Sequence, residues 1–592
     1  VSGLAFDFSK ASDEQVLHQV IMDFETADKA RATREDKWLT WYKMYRSYVD
    51  NKITDRANLF IPYVYSIVET VTPRLIASIF ASKPYIGILP VKAEMVENAK
   101  AMENLIDYQL NQKVGIISVT TSWIKEALIF GTSILKTGWE YEEDEVITEE
   151  PLVQIMGIPI GTRQVKRIEA VKDDPLVQHI DLWDFYVDPA GIDIDSADYC
   201  IHKVYRDISY LKEMEKLGVY RNIEEVTKAV SEQAYATGMN TRLSAIGMQS
   251  IDKPTDKIEL LEYWTDDRVV VVANRAVVIR NDENPYYHRK KPFVRLVDNL
   301  VPHEFYGIGE IEPIEYLQYE LNSIRNQRMD NINLIINRMW KVLRGADIDP
   351  KQLRSRAGGI IEVDDMEDIQ ALEMENVSAS SYQEDEIIRR DMDNATGVNN
   401  YARGENTDRR ETATTASILS QNANERFKLK VTLMEDMGMR RLGNFLVQLN
   451  QQFVDTEKAI RILGPDGMKY MEISPEQIRG QFDVMALGSS VEPTVNKRQK
   501  LDGYINLYNL LKDSPYINHP ELIRDILETA DIKDVDRILM GADEVMMQQL
   551  FGQMNMETMG QSMAGPMNAE MMQQGQMIPS NINDEGVMIN NG

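Results

Sequence analysis

The 592-residue sequence reads as an α+β chain of several domains. Three features carry that reading. Two stretches, from Ile314 to Val342 and from 414 to 453, keep apolar residues at helical spacing for far longer than an ordinary globular helix. The region from 132 to about 205, and again from 258 to 280, changes to the alternation of strands. Between the two long helical stretches lies a turn-rich, acidic segment.

Composition sets the outer bounds. Hydrophobic residues make up 43% and charged residues 27%, which fits a soluble chain with large cores. The net charge of -29 argues against tight non-specific wrapping of nucleic acid, which needs a cationic surface. It leaves room for a local basic patch, or for a wall that DNA passes without sticking. The single cysteine, Cys200, excludes an intrachain disulfide framework and any Cys-based zinc or iron–sulfur site. No run of about 20 apolar residues occurs, so no membrane span is expected. Apolar patches such as Val269–Ala273 are short. Val1-Ser2-Gly3-Leu4 lacks the charged-then-apolar pattern of a signal peptide, so secretion is not expected.

The elements follow in order. Residues 1–55 predict a helix with Asp13 as N-cap and Val16, Val20, Phe24 and Ala27 on one face. Trp38, Trp41, Tyr42, Tyr45 and Tyr48 form an aromatic anchor for packing, with nucleic-acid stacking as the rival role. A helix over 60–80 is interrupted by Pro73, and two more cover 93–113 and 116–130, separated by Gly115. Ser133–Glu142, Val153–Pro159 and Val165–Val171 read as strands, the last two paired around the Gly157–Gly161 turn. Asp181–Pro189 reads as a strand ending in a turn, and 207–217 as a short helix. Ile258–Thr265, Arg268–Ala273 and Ala276–Arg280, with two-residue separators, form a tight meander.

The first long helix has no Gly or Pro between Ile314 and Arg344 and predicts a rod of about 45 Å. Its packing residues are Ile314, Leu317, Leu321, Ile324, Ile332, Ile335 and Met339. Such a rod needs support along its length, most simply from neighbouring helices or subunits. Turns and short strands such as Gly358–Val363 follow. The acidic run holds Glu362, Asp364, Asp365, Glu367, Asp368, Glu373 and Glu375, and no Lys or Arg occurs from 362 to 386. A helix at 380–395, a loop at 397–414 bearing Arg403, Arg409 and Arg410, and the helix 414–453 come next. A strand-rich unit at 458–490 turns at Gly464–Gly467, helices occupy 495–550, and the tail is rich in Met and Gln.

Enzyme signatures are missing. There is no Gly-x-x-x-x-Gly-Lys-Ser/Thr phosphate loop, no His-Glu-x-x-His and no Gly-x-Ser-x-Gly elbow. Gly307-Ile308-Gly309 is only a fragment of a dinucleotide fingerprint. The histidines are isolated in sequence, although a sheet would be able to bring His179 and His202 together. The acidic clusters, including Glu384-Asp385-Glu386, read as a solvated or lumen-facing wall; ion binding and two-metal nuclease chemistry are the alternatives. No catalytic residue, metal ligand or cofactor is assigned.

The order of these parts carries a resemblance. Pro292-Phe293-Val294 leads into Tyr306-Gly307-Ile308-Gly309, then Leu321-Asn322-Ser323-Ile324-Arg325-Asn326-Gln327-Arg328, Thr396-Gly397-Val398 and Thr412-Ala413-Thr414-Thr415-Ala416. Taken together these resemble the portal proteins of tailed double-stranded DNA bacteriophages, most of all the short-tailed group. The resemblance implies an N-terminal helical arm (1–55), an α/β wing (56–309), stem helices (310–343 and 378–396) and a clip between them (344–377). It implies a tunnel loop (397–414), a long wing helix (415–453), a strand-rich segment (454–494) and a crown (495–550). The tail (551–592) matches no part of the family.

The resemblance also implies a homo-oligomeric ring, commonly of about twelve subunits around a DNA channel. It sits at the capsid vertex of the virion after assembly in the host cytoplasm. Implied partners are the large terminase subunit (the packaging ATPase), the major capsid protein and scaffold, and a head-to-tail adaptor. Arg403, Arg409 and Arg410 become candidates for transient DNA-backbone contact, with intersubunit ion pairing as the alternative. A different head–tail adaptor or scaffold ring is the remaining structural alternative.

Overall fold

The computed structural model describes residues 6–50, 52–155, 158–228, 237–250, 257–345, 348–353, 360–363, 365–374, 378–398, 425–464, 467–486, 504–510, 522–524 and 526–527. Among them helices and antiparallel sheets are interleaved along the chain, the α+β class expected from the periodicities.

Helix α1 (Asp13–Tyr45) opens the body. Its N-cap is Ser12, not Asp13: the Ser12 hydroxyl accepts from the Gln15 amide while the Gln15 side chain accepts from the Ser12 amide. This reciprocal pair satisfies two amides that a helix start leaves open, and Asp13 sits in the first turn, favoured by the helix dipole. Val16, Val20, Phe24 and Ala27 are buried on one face. Farther along, Trp38 and Trp41 are buried in the main core, which gives the aromatic stretch its packing role. Arg31, buried between these halves, donates to the carbonyls of Leu182, Trp183 and Phe185 and lies 3.8 Å from the Tyr186 ring.

A five-stranded sheet holds β4 (Phe185–Val187), β5 (Cys200–Asp207), β6 (Lys257–Trp264), β7 (Arg268–Ala273) and β8 (Val277–Glu283) in sequence order, all antiparallel. Successive side chains point to opposite faces. Ile201, Leu261, Val270 and Val272 meet α1, while Cys200, Leu260, Val269 and Val271 enter the main core. A sheet covered on both faces explains the unbroken Val269–Ala273 run. The meander is as expected, but 181–189 is a 3-10 turn at Leu182–Asp184 followed by the short β4.

The main core is built on α2 (Tyr63–Ile79), α3 (Val96–Tyr108) and α4 (Ile116–Phe130). Helix α2 continues through Pro73 rather than stopping there. Strand β1 (Ile86–Pro90) pairs with β14 (Phe482–Ala486), so the segment expected as one strand-rich unit is divided. Its other strands, β12 (Lys458–Gly464) and β13 (Gly467–Ile473), form a sheet of their own. A second sheet, in the order β3-β2-β9, contains β2 (Thr132–Ile155), β3 (Ile158–Ile180) and β9 (Phe293–Val297). Here two continuous strands, 24 and 23 residues long, replace the shorter strands expected.

The first long helix is shorter than its periodicity suggested. Helix α8 (Glu315–Ile336) follows a 3-10 turn and spans 22 residues, about 33 Å. Three short helices precede it: α5 (Ile208–Lys216), α6 (Ile223–Lys228) and α7 (Gly238–Ala245). Beyond Asn337 the chain enters β10 (Trp340–Val342), paired with β11 (Ile369–Ala371). The Trp340 indole donates to the Leu353 carbonyl at 2.9 Å. Apolar residues at 339, 340, 342 and 343 suit a short strand as well as a helix turn, and tertiary pairing decides. Of the strand expected at 358–363, residues 358 and 359 lie outside the described residues and 360–363 are irregular; the described strand in this region is β11.

Helix α9 (Ser378–Thr396) follows. The last helical stretch of the body comprises α10 (425–434), a π turn at Glu435–Met439 and α11 (Arg440–Phe453). Beyond Pro493, 504–510, 522–524 and 526–527 are helical. The tail 551–592 lies outside the described residues.

Candidate functional site

The candidate site is the α8–α9 pair with the segments that enter and leave it. Helix α8 is anchored through an amide ladder. Gln318, Asn322, Asn326 and Asp330 recur every fourth residue and line one helix face. Against them runs the irregular segment Ala57–Ile61. The amides of Ala57, Leu59 and Ile61 donate to Asp330 at 2.6 Å, Asn326 at 2.7 Å and Asn322 at 2.9 Å. In return Asn326 and Gln318 donate to the carbonyls of Leu59 and Ile61. Four helical residues rise about 6.0 Å and two extended residues about 6.7 Å, so the two repeats stay in step.

Between the helices, Arg328 and Asp385 form a buried ion pair at 2.9 Å. Arg389 also donates to Asp385, and the Arg328 guanidinium lies 4.2 Å from the Tyr382 ring. Burial works against the Asp385 charge. The Arg389 and Arg328 hydrogen bonds outweigh it and hold the carboxyl below its ordinary range. The middle member of Glu384-Asp385-Glu386 is thus committed to two arginines, as a structural link.

The expected packing residues divide. Ile314 and Leu321 are fully buried, and Leu317 and Ile324 pack partly buried against the core. Ile332 and Ile335 are half-buried. Met339 lies past the end of α8 and is 45% exposed, so it is not a helix-packing residue in the subunit. Tyr316, Tyr319 and Ile336 also leave large apolar surface outside.

In the acidic segment, Glu362, Asp365, Glu367 and Glu373 are exposed and Asp368 is half-buried. Asp365 accepts the Glu367 amide at 3.0 Å, and Asp368 accepts the Asp365 amide at 3.3 Å. These carboxylates hold a turn. Asp364 and Glu375 lie outside the described residues, as do Arg403, Arg409 and Arg410. Among the described residues there is no group of three or more His, Cys, Asp or Glu placed to hold a metal ion. His179 and His202 belong to separate networks: His179 meets Glu126 at 2.8 Å, and His202 meets Lys136 at 3.4 Å.

The approach to α8 is tight. A Cβ on Gly307 would lie 2.1 Å from Val297 Cγ1 and 2.7 Å from the Asn299 carbonyl oxygen. This close crossing accounts for the Gly-Ile-Gly run without any nucleotide. Beside it Lys430, on α10 and partly buried, donates to the buried Asp298 at 2.8 Å and to the buried Glu310. One ammonium faces two carboxylates. Burial, followed by the Glu310 charge, pushes the Asp298 carboxyl up to about 7. Lys430 thereby ties α10 to both ends of the segment leading into α8.

Sequence reasoning missed the ladder, the Arg328–Asp385 pair and this triad. Only the ladder had a readable signal, its four-residue amide spacing.

A family model described as phage SU10 portal protein matches residues 15–157 and 151–578. The chain belongs to this family of phage portal proteins. Membership makes it a structural component of the phage head connector, in a family implying a homo-oligomeric ring with capsid and packaging partners at the virion vertex. That family is structural, not enzymatic. Among its described residues no helix is long and apolar enough to cross a membrane.

Proposed function

We propose that this portal protein forms a ring of about twelve copies whose central channel passes double-stranded DNA during packaging and ejection. In this reading α8 and α9 are the stem and 344–377 is the clip. The clip docks the large terminase subunit during packaging and the head-to-tail adaptor afterwards. The loop 397–414 is the tunnel loop, 495–550 the crown, and the outer body meets the major capsid protein and scaffold. The ring serves a short-tailed phage.

The observation that carries this reading is the α8–α9 pair. Its inner seam is closed by Arg328 and Asp385, while Tyr316, Tyr319 and Ile336 remain outside the subunit's own core. Lateral neighbours in a closed ring would cover such residues along the whole pair. The acidic balance of the chain suits a wall along which phosphates slide. Contacts from Arg403, Arg409 and Arg410 would be salt-dependent and indifferent to sequence.

Native mass spectrometry of the full-length chain tests the ring. A closed species near twelve times 67.9 kDa is expected. A stable monomer or dimer under all assembly conditions would overturn it.

A further inference from the structure

We propose that the distal part of the β2–β3 ribbon is an intersubunit zipper: the acidic strand edge of one copy pairs with the basic strand edge of the next. The proposal rests on the ring reading and specifies where neighbouring copies join.

The ribbon extends far past its sheet. Strand β9 pairs with β2 only from Thr132 to Lys136, whereas β2 and β3 pair with each other out to Ile155 and Ile158. From Glu143 to Ile155 this arm runs about 43 Å at roughly 3.3 Å per residue. The buried core takes Ile134, Leu135, Val177 and Ile180 from its base, whereas residues 140–145, 147, 164, 166, 170 and 171 of the arm are exposed. Tyr141, Ile147 and Val171 are each more than half exposed. A two-stranded ribbon alone in water is marginal. Among the described residues no strand pairs with the outer edge of β3, or with β2 beyond Lys136. Both edges therefore offer rows of backbone donors and acceptors.

Charge selects the partner. From 142 to 150, β2 carries Glu142, Glu143, Asp144, Glu145, Glu149 and Glu150 and no base. From 161 to 172, β3 carries Arg163, Lys166, Arg167 and Lys172 against Glu169 alone. Within one copy the strands already attract: Lys166 meets Glu145 at 2.7 Å and Lys172 meets Glu142 at 2.9 Å. Joining β2 to β2 of a second copy would set acid against acid, which opposes pairing. Joining β2 to β3 of a second copy repeats the favourable contact and keeps every neighbour antiparallel. That contact is head-to-tail, the kind that closes into a ring.

The test reverses both strands together, so that attraction inside the ribbon is kept. The full-length variant carries Glu143→Lys, Glu145→Lys, Glu149→Lys and Glu150→Lys with Arg163→Glu, Lys166→Glu and Arg167→Glu. It is co-expressed with a mass-tagged wild-type chain and read by native mass spectrometry. Each chain alone is expected to form rings, with mixed rings at least about tenfold below their statistical share. Mixed rings at the statistical share would overturn the zipper while leaving the ring intact; absence of wild-type rings would overturn both. Hydrogen exchange on wild-type rings covers a variant that does not fold. Slowed outward-facing amides in 143–155 and 158–171, relative to the unassembled subunit, are expected. Unchanged exchange, or protection gained only on adding capsid protein, would overturn the zipper.

Discussion

Asn326 grips Leu59 through both of its backbone groups, accepting the Leu59 amide at 2.7 Å and donating to its carbonyl at 3.1 Å. The contact joins residues 267 positions apart. It makes one rung of a ladder in which helix side chains take the place of a neighbouring strand. The rungs fix where α8 starts its course relative to the body.

Asn326→Ala removes that rung. Net loss of about 1 kcal/mol for each of the two hydrogen bonds would speed exchange of the Leu59 amide roughly thirtyfold. Residues on α9 should change little. Hydrogen exchange resolved by peptide is the measurement, and unchanged exchange at 57–61 would count against the ladder.

Arg328→Ala leaves Asp385 buried with only Arg389 as its ionic partner. Stability should fall by about 2 kcal/mol, the loss of a charge-assisted hydrogen bond to a carboxylate that keeps Arg389. Arg328→Met combined with Asp385→Leu should lose much less. Denaturant unfolding of the three variants provides the double-mutant comparison.

Asp298 makes stability depend on pH in a defined direction. Its native value near 7 lies above the ordinary unfolded value of about 3.9. Between those values the native state holds the extra proton, so its contribution grows as pH falls from 8 towards 5. Asp298→Asn should lose that dependence. Unfolding midpoints for both proteins across this range decide it; parallel curves would remove Asp298 as the source of the dependence.

Gly307→Ala should sharply reduce soluble yield, with a cost on the order of 3 kcal/mol or more. The new Cβ would strike Val297, and backbone oxygens at Asn299 and Gly131 prevent a simple rotamer escape. Adding Val297→Ala should recover only part of the loss. Wild-type yield and melting temperature in Gly307→Ala would contradict the crossing.

Arg409→Glu with Arg410→Glu tests the proposed channel loop. Ring assembly should persist while packaging or genome retention drops. Normal packaging and retention in the double variant would discard the loop assignment.

Local periodicity was enough to read α1, α4, α9 and the β6–β8 meander, because each presents a regular apolar face. It was not enough to end α8 at Ile336. Met339, Trp340, Val342 and Leu343 fit either element, and the partner strand that decides lies at Ile369–Ala371. The order of parts pointed to the portal family without any catalytic motif. The identities of the polar partners had to wait for the fold. Ion pairs and amide ladders depend on atoms brought within about 3 Å from distant positions, a property of three-dimensional approach that spacing along the chain does not encode. Thus the amphipathic helices, the acidic run and the single cysteine belong to the sequence itself. The Leu59–Asn326 rung, the Arg328–Asp385 seam and the Lys430 triad exist only because packing closes those distances.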